Sequence, residues 1–169
     1  MTVAEARARY TVTLWDKASP INGVPAEQVL QSHAVPPNGS VYLIYRDGNL
    51  LYFQPHAPWV AGLVPMTDSE ALQYADEQVL QLACAELPIS AAASPNPAAV
   101  NTTVTVTATL PVDTPDTSVT FQAEGGTAYR EPVSNGQASH MFAFAALGIY
   151  HVTASSAHHG KTTVEVVVS

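Results

Sequence analysis

The chain is short of cysteine, of positive charge and of charge altogether, and each shortage removes a class of protein. Among 169 residues Cys84 is the only cysteine, so no intrachain disulfide is possible. Six Lys and Arg stand against 14 Asp and Glu, a net charge of −8, and Arg7 and Arg9 are the nearest thing to a basic cluster. A nucleic-acid binder needs a basic patch to displace counterions, so that class is excluded. Charged residues make up 12% and apolar residues 47%. That is too apolar for a disordered chain, and poorer in charge than the roughly one quarter usual for a soluble monomer. A surface with few charges is easily covered by a partner. Long apolar runs are missing too. Nothing approaches the roughly 20 residues of a membrane span, so no membrane insertion is expected. The N-terminal stretch MTVAEARARYTVTLW carries Glu5, Arg7 and Arg9 where a signal peptide has its apolar region. The expectation is a chain made in the cytoplasm and not exported by the usual route, with Met1-Thr2 as its own beginning.

Chemical motifs are equally scarce. There is no G-x-S-x-G nucleophile elbow and no G-x-x-x-x-G-K-[ST] phosphate loop, and Gly125-Gly126 reads as a turn. Cys84 has no accompanying catalytic His or Asn motif and reads as a small buried helix residue. Six histidines invite a metal reading. His158-His159 precede Gly160 in a loop, with His140 and His151 on flanking strands. Zinc needs three or four converging ligands, whereas adjacent residues at a hairpin tip diverge, so the pair reads as a solvated loop. His33 and His56 lie near prolines, and no spacing links them to acids. Asp68 and Glu70 are explained by helix capping. No metal, cofactor or enzymatic activity is expected, and an enzyme with an unrecognised site is the remotest alternative.

What is present begins with YRDGNLLYFQPH, residues 45–56. Leu51-Tyr52-Phe53-Gln54 matches the core of a viral-protease site used to remove affinity tags. The upstream acid of such sites is missing, and Pro55 sits where the cleaved bond should be. Val41, Leu43 and Tyr45 alternate up to Asp47-Gly48, and a second apolar run comes after the turn. Asp-Gly between apolar runs predicts a hairpin over 41–54.

The first half mixes strands and helices. Tyr10 to Trp15 alternates like a strand, Ser19 to Gly23 is a turn, and Pro25 to Gln31 fits a short helix with Pro at its first position. Thr67-Asp68-Ser69-Glu70 is a capping box, in which Thr67 and Glu70 satisfy each other's backbone N–H. Leu72, Ala75, Val79, Leu82 and Ala83 share one face, so an amphipathic helix is predicted over 68–85, with Gln73, Asp76, Glu77 and Gln81 outside. Residues 1–87 are expected to form a small α+β domain, a hairpin sheet plus the capped helix. Pro55 to Pro65 is a proline-broken loop holding His56, Trp59 and Val60. A stiffened loop immobilises Trp59 cheaply, which suits an interface anchor; the other reading is a lid folded back on the sheet.

The chain changes character near residue 88. Residues 88–97, with three prolines among small residues, read as a linker running into a first edge strand. Thr, Val and Ala dominate the second half, and strands are predicted at 89–94, 100–110, 117–124, 127–133, 137–145, 148–156 and 161–168. Even spacing with turn signals indicates a β-sandwich.

Ser94-Pro95-Asn96-Pro97 followed by Thr103-Val104-Thr105-Val106-Thr107-Ala108, then Val133-Ser134-Asn135-Gly136-Gln137-Ala138 before Phe142 to Phe144, then Gly148-Ile149-Tyr150-His151-Val152-Thr153-Ala154, together resemble a bacterial or phage immunoglobulin-like domain. The resemblance spans residues 89–169, with 98–169 as the body of the sandwich. It implies that Tyr150 is a tyrosine corner and that Phe121 takes the place of the strand-C tryptophan. It also implies that Val152 and Val104 or Val106 stand where antibody domains carry a disulfide. Modules of this kind are similar to those on phage head decorations, tail tubes and tail fibres. The expectation is therefore a non-catalytic virion component found on the virion surface. Its partners are other virion subunits in a homo-oligomer or symmetric assembly, and a host-surface glycan. Residues 1–87 would dock and the sandwich would project. The alternative is a bacterial carbohydrate-binding or adhesin-type module, since the fold alone fixes no function.

Overall fold

The structure, a computed structural model, describes residues 1–33, 39–54 and 67–169. The chain groups into two compact units: Arg7–Leu80, and Met1–Ala6 together with Gln81–Ser169.

The Arg7–Leu80 unit holds strand β1 (Tyr10–Leu14), helix α2 (Ala26–His33), strands β2 (Tyr42–Arg46) and β3 (Asn49–Gln54), and most of helix α3 (Asp68–Ala85). The strands form an antiparallel sheet in the order β1-β2-β3. The hairpin turn falls at Asp47-Gly48, with φ of 50° and 82°; glycine and aspartate tolerate these positive values, which the tight turn requires. Arg9 holds the turn from outside, its guanidinium 2.5 Å from the Asp47 carboxylate. A small core of Trp15, Val29, Val41 and Leu43 sits on one face of the sheet. Trp15 Nε1 donates to the Ser19 carbonyl at 2.8 Å, which satisfies its one polar atom on burial. Thr67 and Glu70 exchange the reciprocal capping bonds: Thr67 N–H donates to Glu70 Oε2 at 2.8 Å and Glu70 N–H to Thr67 Oγ1 at 3.3 Å. The buried face of α3 differs from the expected one. Ala71, Ala75, Val79 and Ala83 are buried at i, i+4 spacing, while Leu72 is 46% exposed. The large side chain lies outside because the stripe is built from alanines.

The second unit contains most of helix α1 (Val3–Arg7), the last turn of α3, and strands β4 (Ser90–Ser94), β5 (Thr103–Thr109), β6 (Ser118–Ala123), β7 (Ala128–Pro132), β8 (Gln137–Ala143), β9 (Gly148–Ser156) and β10 (Gly160–Val168). Each of the seven predicted strands is present within a few residues. They pair antiparallel in two sheets, β4-β5-β8 and β10-β9-β6-β7. Alternation sends Val104, Val106 and Ala108 of β5, Val119 and Phe121 of β6, Val152 and Ala154 of β9, and Val166 and Val168 of β10 into one core. Val104, Val106, Phe121 and Val152 are fully buried, so apolar packing fills the centre.

Residues 88–97, expected as a linker running into a first edge strand, carry the edge strand β4. Ile89 is buried, β4 pairs along its length with β5, and the Asn96 side chain bonds both Glu165 O and Val167 N of β10, at 2.7 and 2.9 Å. Ala98 then bridges Val168 in parallel, so this segment leaves one sheet and joins the other. Helix α1 is an element that the sequence patterns do not predict. It begins with a second capping box, Thr2 and Glu5: Thr2 N–H donates to Glu5 Oε2 at 2.7 Å and Glu5 N–H to Thr2 Oγ1 at 3.1 Å. Asp113 accepts from the N–H groups of Val3 and Ala4 at 2.7 and 3.0 Å, which supplies orphan donors at the helix start.

Candidate functional site

Two places on the sandwich gather side chains beyond what packing requires. The first is the corner where β7 of one sheet runs beside β8 of the other. On β7, Tyr129 and Glu131 point to the same side because side chains alternate along a strand; on β8, His140 and Phe142 do likewise. Tyr129 stacks on the His140 ring with centroids 4.1 Å apart. The run continues edge-on to Phe142 at 4.8 Å, then to Phe144 at 6.1 Å and Tyr150 at 4.2 Å beyond it. His140 Nδ1 lies 2.7 Å from Glu131 Oε1; this fixes the ring plane on which Tyr129 rests. Tyr150 donates its hydroxyl to the Ala146 carbonyl at 3.0 Å, which holds the last ring upright. A cleft of about 240 Å³ opens here, with Tyr129, Phe142, Phe144 and Tyr150 as its aromatic lining and Glu124, Gly126 and Thr127 at its lip. Tyr129 remains 42% exposed.

The second is the end of the sandwich formed by the β5–β6 loop and the β9–β10 turn. Here the expected solvated histidine loop is corrected. His159 is 4% exposed. Its Nδ1 lies 3.0 Å from Cys84 O and 2.8 Å from Leu87 O, and its Nε2 lies 2.9 Å from Thr114 Oγ1. Carbonyls only accept, so Nδ1 carries the proton, and in the neutral ring Nε2 accepts from the Thr114 hydroxyl. The ring thereby adds a second donor to Cys84 O, which already accepts from Leu87 N–H at 3.0 Å, and supplies one to Leu87 O just past the end of α3. His158 turns elsewhere, as neighbouring residues in a tip do. Its Nδ1 is 2.6 Å from Asp116 Oδ1, and its N–H donates to Asp116 Oδ2 at 3.2 Å. Burial alone would raise the Asp116 carboxyl, but the bonds from the His158 ring, its main-chain N–H and the Ser156 hydroxyl outweigh it and hold the carboxyl below its ordinary range.

An acid holding an imidazole by Nδ1 is the orienting half of a catalytic triad. The hydroxyls nearby are otherwise engaged: Ser155 Oγ donates to Thr120 O at 3.4 Å, and Ser156 Oγ accepts from His159 N–H at 3.2 Å. Among the described residues no hydroxyl is bonded to His158 Nε2, and no group of three or more His, Cys, Asp or Glu is placed to hold a metal ion.

Of the residues expected to matter, Phe121 lies fully buried in the sandwich core and Tyr150 closes its bond to Ala146 at the aromatic corner. Thr67 and Glu70 sit at the start of α3. His56, Trp59 and Val60 lie outside the described residues. Tyr129, Glu131, Asp116 and Thr114 carry no motif that singles them out in the sequence. The one local signal is the alternation that pairs Tyr129 with Glu131 on one side of a short strand.

No protein-family model matches the chain, and no curated protein matches it. Solved structures do. A protein named as membrane anchored from Corynebacterium diphtheriae is similar over 79% of this chain and 29% of its own, at 17% identity and a TM-score of 0.43. The endo-beta-1,4-mannanase from Thermotoga petrophila is similar over 66% of this chain and 27% of its own, at 14% identity and a TM-score of 0.40. Domains 4 and 5 of the S-layer protein SbsC are similar over 98% of this chain and 79% of theirs, at 12% identity and a TM-score of 0.30. The chain thus spans less than a third of the first two proteins. Likeness this distant carries no argument about function. Among the described residues no helix is long and apolar enough to cross a membrane.

Proposed function

We propose that the chain is a non-catalytic interaction protein, an immunoglobulin-like sandwich that holds a ligand and is carried by a small α+β domain over residues 1–87. The immunoglobulin-like reading is supported by the pairing β4-β5-β8 against β10-β9-β6-β7. This is the A-B-E and G-F-C arrangement of that fold with one added edge strand. The switch of sheets at Ala98 and the Tyr150 bond to Ala146 support it further.

The observation that carries the function is the aromatic cleft beside Tyr129. Flat rings offer apolar faces, and the cleft adds a carboxylate and a hydroxyl at its lip. A few polar groups around an aromatic floor make a site that orients its ligand. A pyranose ring has the matching form, with apolar C–H faces and a rim of hydroxyls, so the ligand is a neutral saccharide. The setting we propose is a phage particle, head or tail, assembled as a symmetric oligomer. That setting rests on the sequence resemblance. The bacterial adhesin-type module is the second reading, and the same cleft favours it equally.

A saccharide array probed with the whole chain tests the ligand class. Retention on neutral sugars is expected, and a blank array overturns the reading. Docking is assigned to residues 1–87 with Trp59 at the contact. Trp59→Ala should weaken association, with itself or with the particle, by about 2 kcal/mol in sedimentation experiments; unchanged association removes Trp59 from the interface.

A further inference from the structure

The chain has only six basic residues, and two of them are left without a carboxylate on the outer face of the β10-β9-β6-β7 sheet. Arg7 pairs with Asp76, Arg9 and Arg46 lie beside Asp47, and Lys17, in the Arg7–Leu80 unit, is engaged as well. Arg130 and Lys161 have no carboxylate partner among the described residues. The register puts them in one row: Arg130 opposes Thr120, Thr120 opposes Ser155, and Ser155 opposes Lys161. Directly opposed residues share a face. Their neighbours Tyr129, Phe121 and Ala154 face the core, so this row faces out. It runs cation, hydroxyl, hydroxyl, cation across three strand spacings, about 14 Å.

The sheet face is graded along the strands. The next row holds Ala128, Gln122, Thr153 and Thr163, all neutral. Glu124, His151 and Glu165 lie at the far end, where His151 is 3.5 Å from Glu124 and opposes Glu165. The two Lys and Arg side chains of this sheet face therefore lie at one end of it, and its two glutamates at the other.

That end is concave. A groove of about 480 Å³ is lined by Arg130, Ser118, Thr120, Ser155, Asp116 and His158, among others. Ser118 Oγ accepts from Arg130 Nε at 2.7 Å; this fixes the guanidinium, and among the described residues its two terminal nitrogens have no partner. Asp116, the one acid in the lining, is spent on His158. Its pairing with Nδ1 leaves Nε2 as the ring atom open to a ligand.

We propose that this groove is a second binding site, for a saccharide bearing a carboxylate or sulfate. The oxyanion sits on the planar fork of Arg130, which matches it with two parallel bonds. The sugar hydroxyls run along Thr120 and Ser155 toward Lys161. The groove is larger than a bare ion needs, and the hydroxyl row suits a polyol. Two cations are too few to hold a nucleic-acid backbone against the rest of the charge. At hydrogen-bond distance the local groups decide, because charges farther off than about 8 Å are screened at physiological salt. The site is separate from the aromatic cleft and does not depend on it.

The test is titration of the whole chain with glucuronate, glucose, inorganic sulfate and a short single-stranded DNA, monitored by amide chemical shifts. Glucuronate should bind, move the amides around Thr120, Arg130 and Ser155, and weaken with added salt. Glucose should leave those amides still. Arg130→Gln should raise the glucuronate Kd at least tenfold, and Arg130→Lys should fall between the two because it keeps the charge but loses the fork. Arg130 is exposed, so both variants are expected to fold, and an unchanged melting temperature confirms that they do. Sulfate binding as well as glucuronate would overturn the saccharide assignment. DNA binding at the same amides, silence with glucuronate, or glucuronate binding untouched by Arg130→Gln would overturn the site.

Discussion

The aromatic corner and the histidine turn sit on the same sandwich and use the same residue type in opposite ways. At the corner, His140 is a flat spacer, pinned by Glu131 and covered by a half-exposed tyrosine. At the turn, His159 is sunk among backbone carbonyls and His158 is held by a buried acid. Imidazole is apolar enough to stack and polar enough to close a hydrogen-bond network, and burial decides which property is used. The corner therefore has surface to offer a ligand at little cost in stability, whereas the turn is structural at His159 and open only beside His158.

The sharpest way to break this contrast is His159→Ala. It strips the ring's bonds from Cys84 O, Leu87 O and the Thr114 hydroxyl, although Cys84 O keeps the Leu87 N–H and Thr114 Oγ1 keeps the Asp116 N–H. Leaving a buried polar group such as Leu87 O unpaired costs about 1–3 kcal/mol, so a loss of about 2 kcal/mol is expected in chemical denaturation. A loss under about 1 kcal/mol would mean that the ring is a bystander.

Acid separates the two regions next. The Asp116 carboxyl is held below its ordinary range in the folded chain. Its contribution is therefore fully present above the unfolded value of about 4 and is lost as pH falls through the lower folded value. Wild type should be more stable than Asp116→Asn at pH 6, and the gap should close below about pH 4. A gap that stays constant down to pH 3 would show that the His158–Asp116 pair does not depend on the charge of the acid.

Tyr150→Phe is the smaller probe, at the corner. It removes one half-exposed bond to Ala146 O and should cost about 1 kcal/mol, with the strands intact. An unchanged melting temperature would remove the tyrosine-corner assignment and leave the sandwich standing.

The sequence makes some of this legible and hides the rest for physical reasons. Strands β5, β6 and β10 are readable because a residue such as Val104, Phe121 or Val166 must alternate with a polar neighbour to reach one core. The Asp47-Gly48 turn is readable because few residues accept its backbone. The Thr67–Glu70 cap is readable within four residues; the same spacing at Thr2 and Glu5 goes unread because only a five-residue helix comes after it. Leu72 misleads because hydrophobicity suggests burial, whereas a face of alanines allows close approach and leaves leucine outside. His159 has no signature at all: its carbonyl partners lie 75 and 72 residues away, and a backbone acceptor has no residue type to recognise. The Tyr129–His140 stack depends on how two sheet edges meet, which no local pattern encodes.

The central claim is that the sandwich binds through its aromatic corner, and calorimetric titration of the whole chain with the neutral saccharide best retained on the array tests it most directly. Tyr129→Ala, a change at a 42% exposed ring, should raise the Kd at least tenfold, while loss of the stack on His140 costs only about 0.5–1.5 kcal/mol and leaves the chain folded. Equal binding by wild type and Tyr129→Ala would contradict the account.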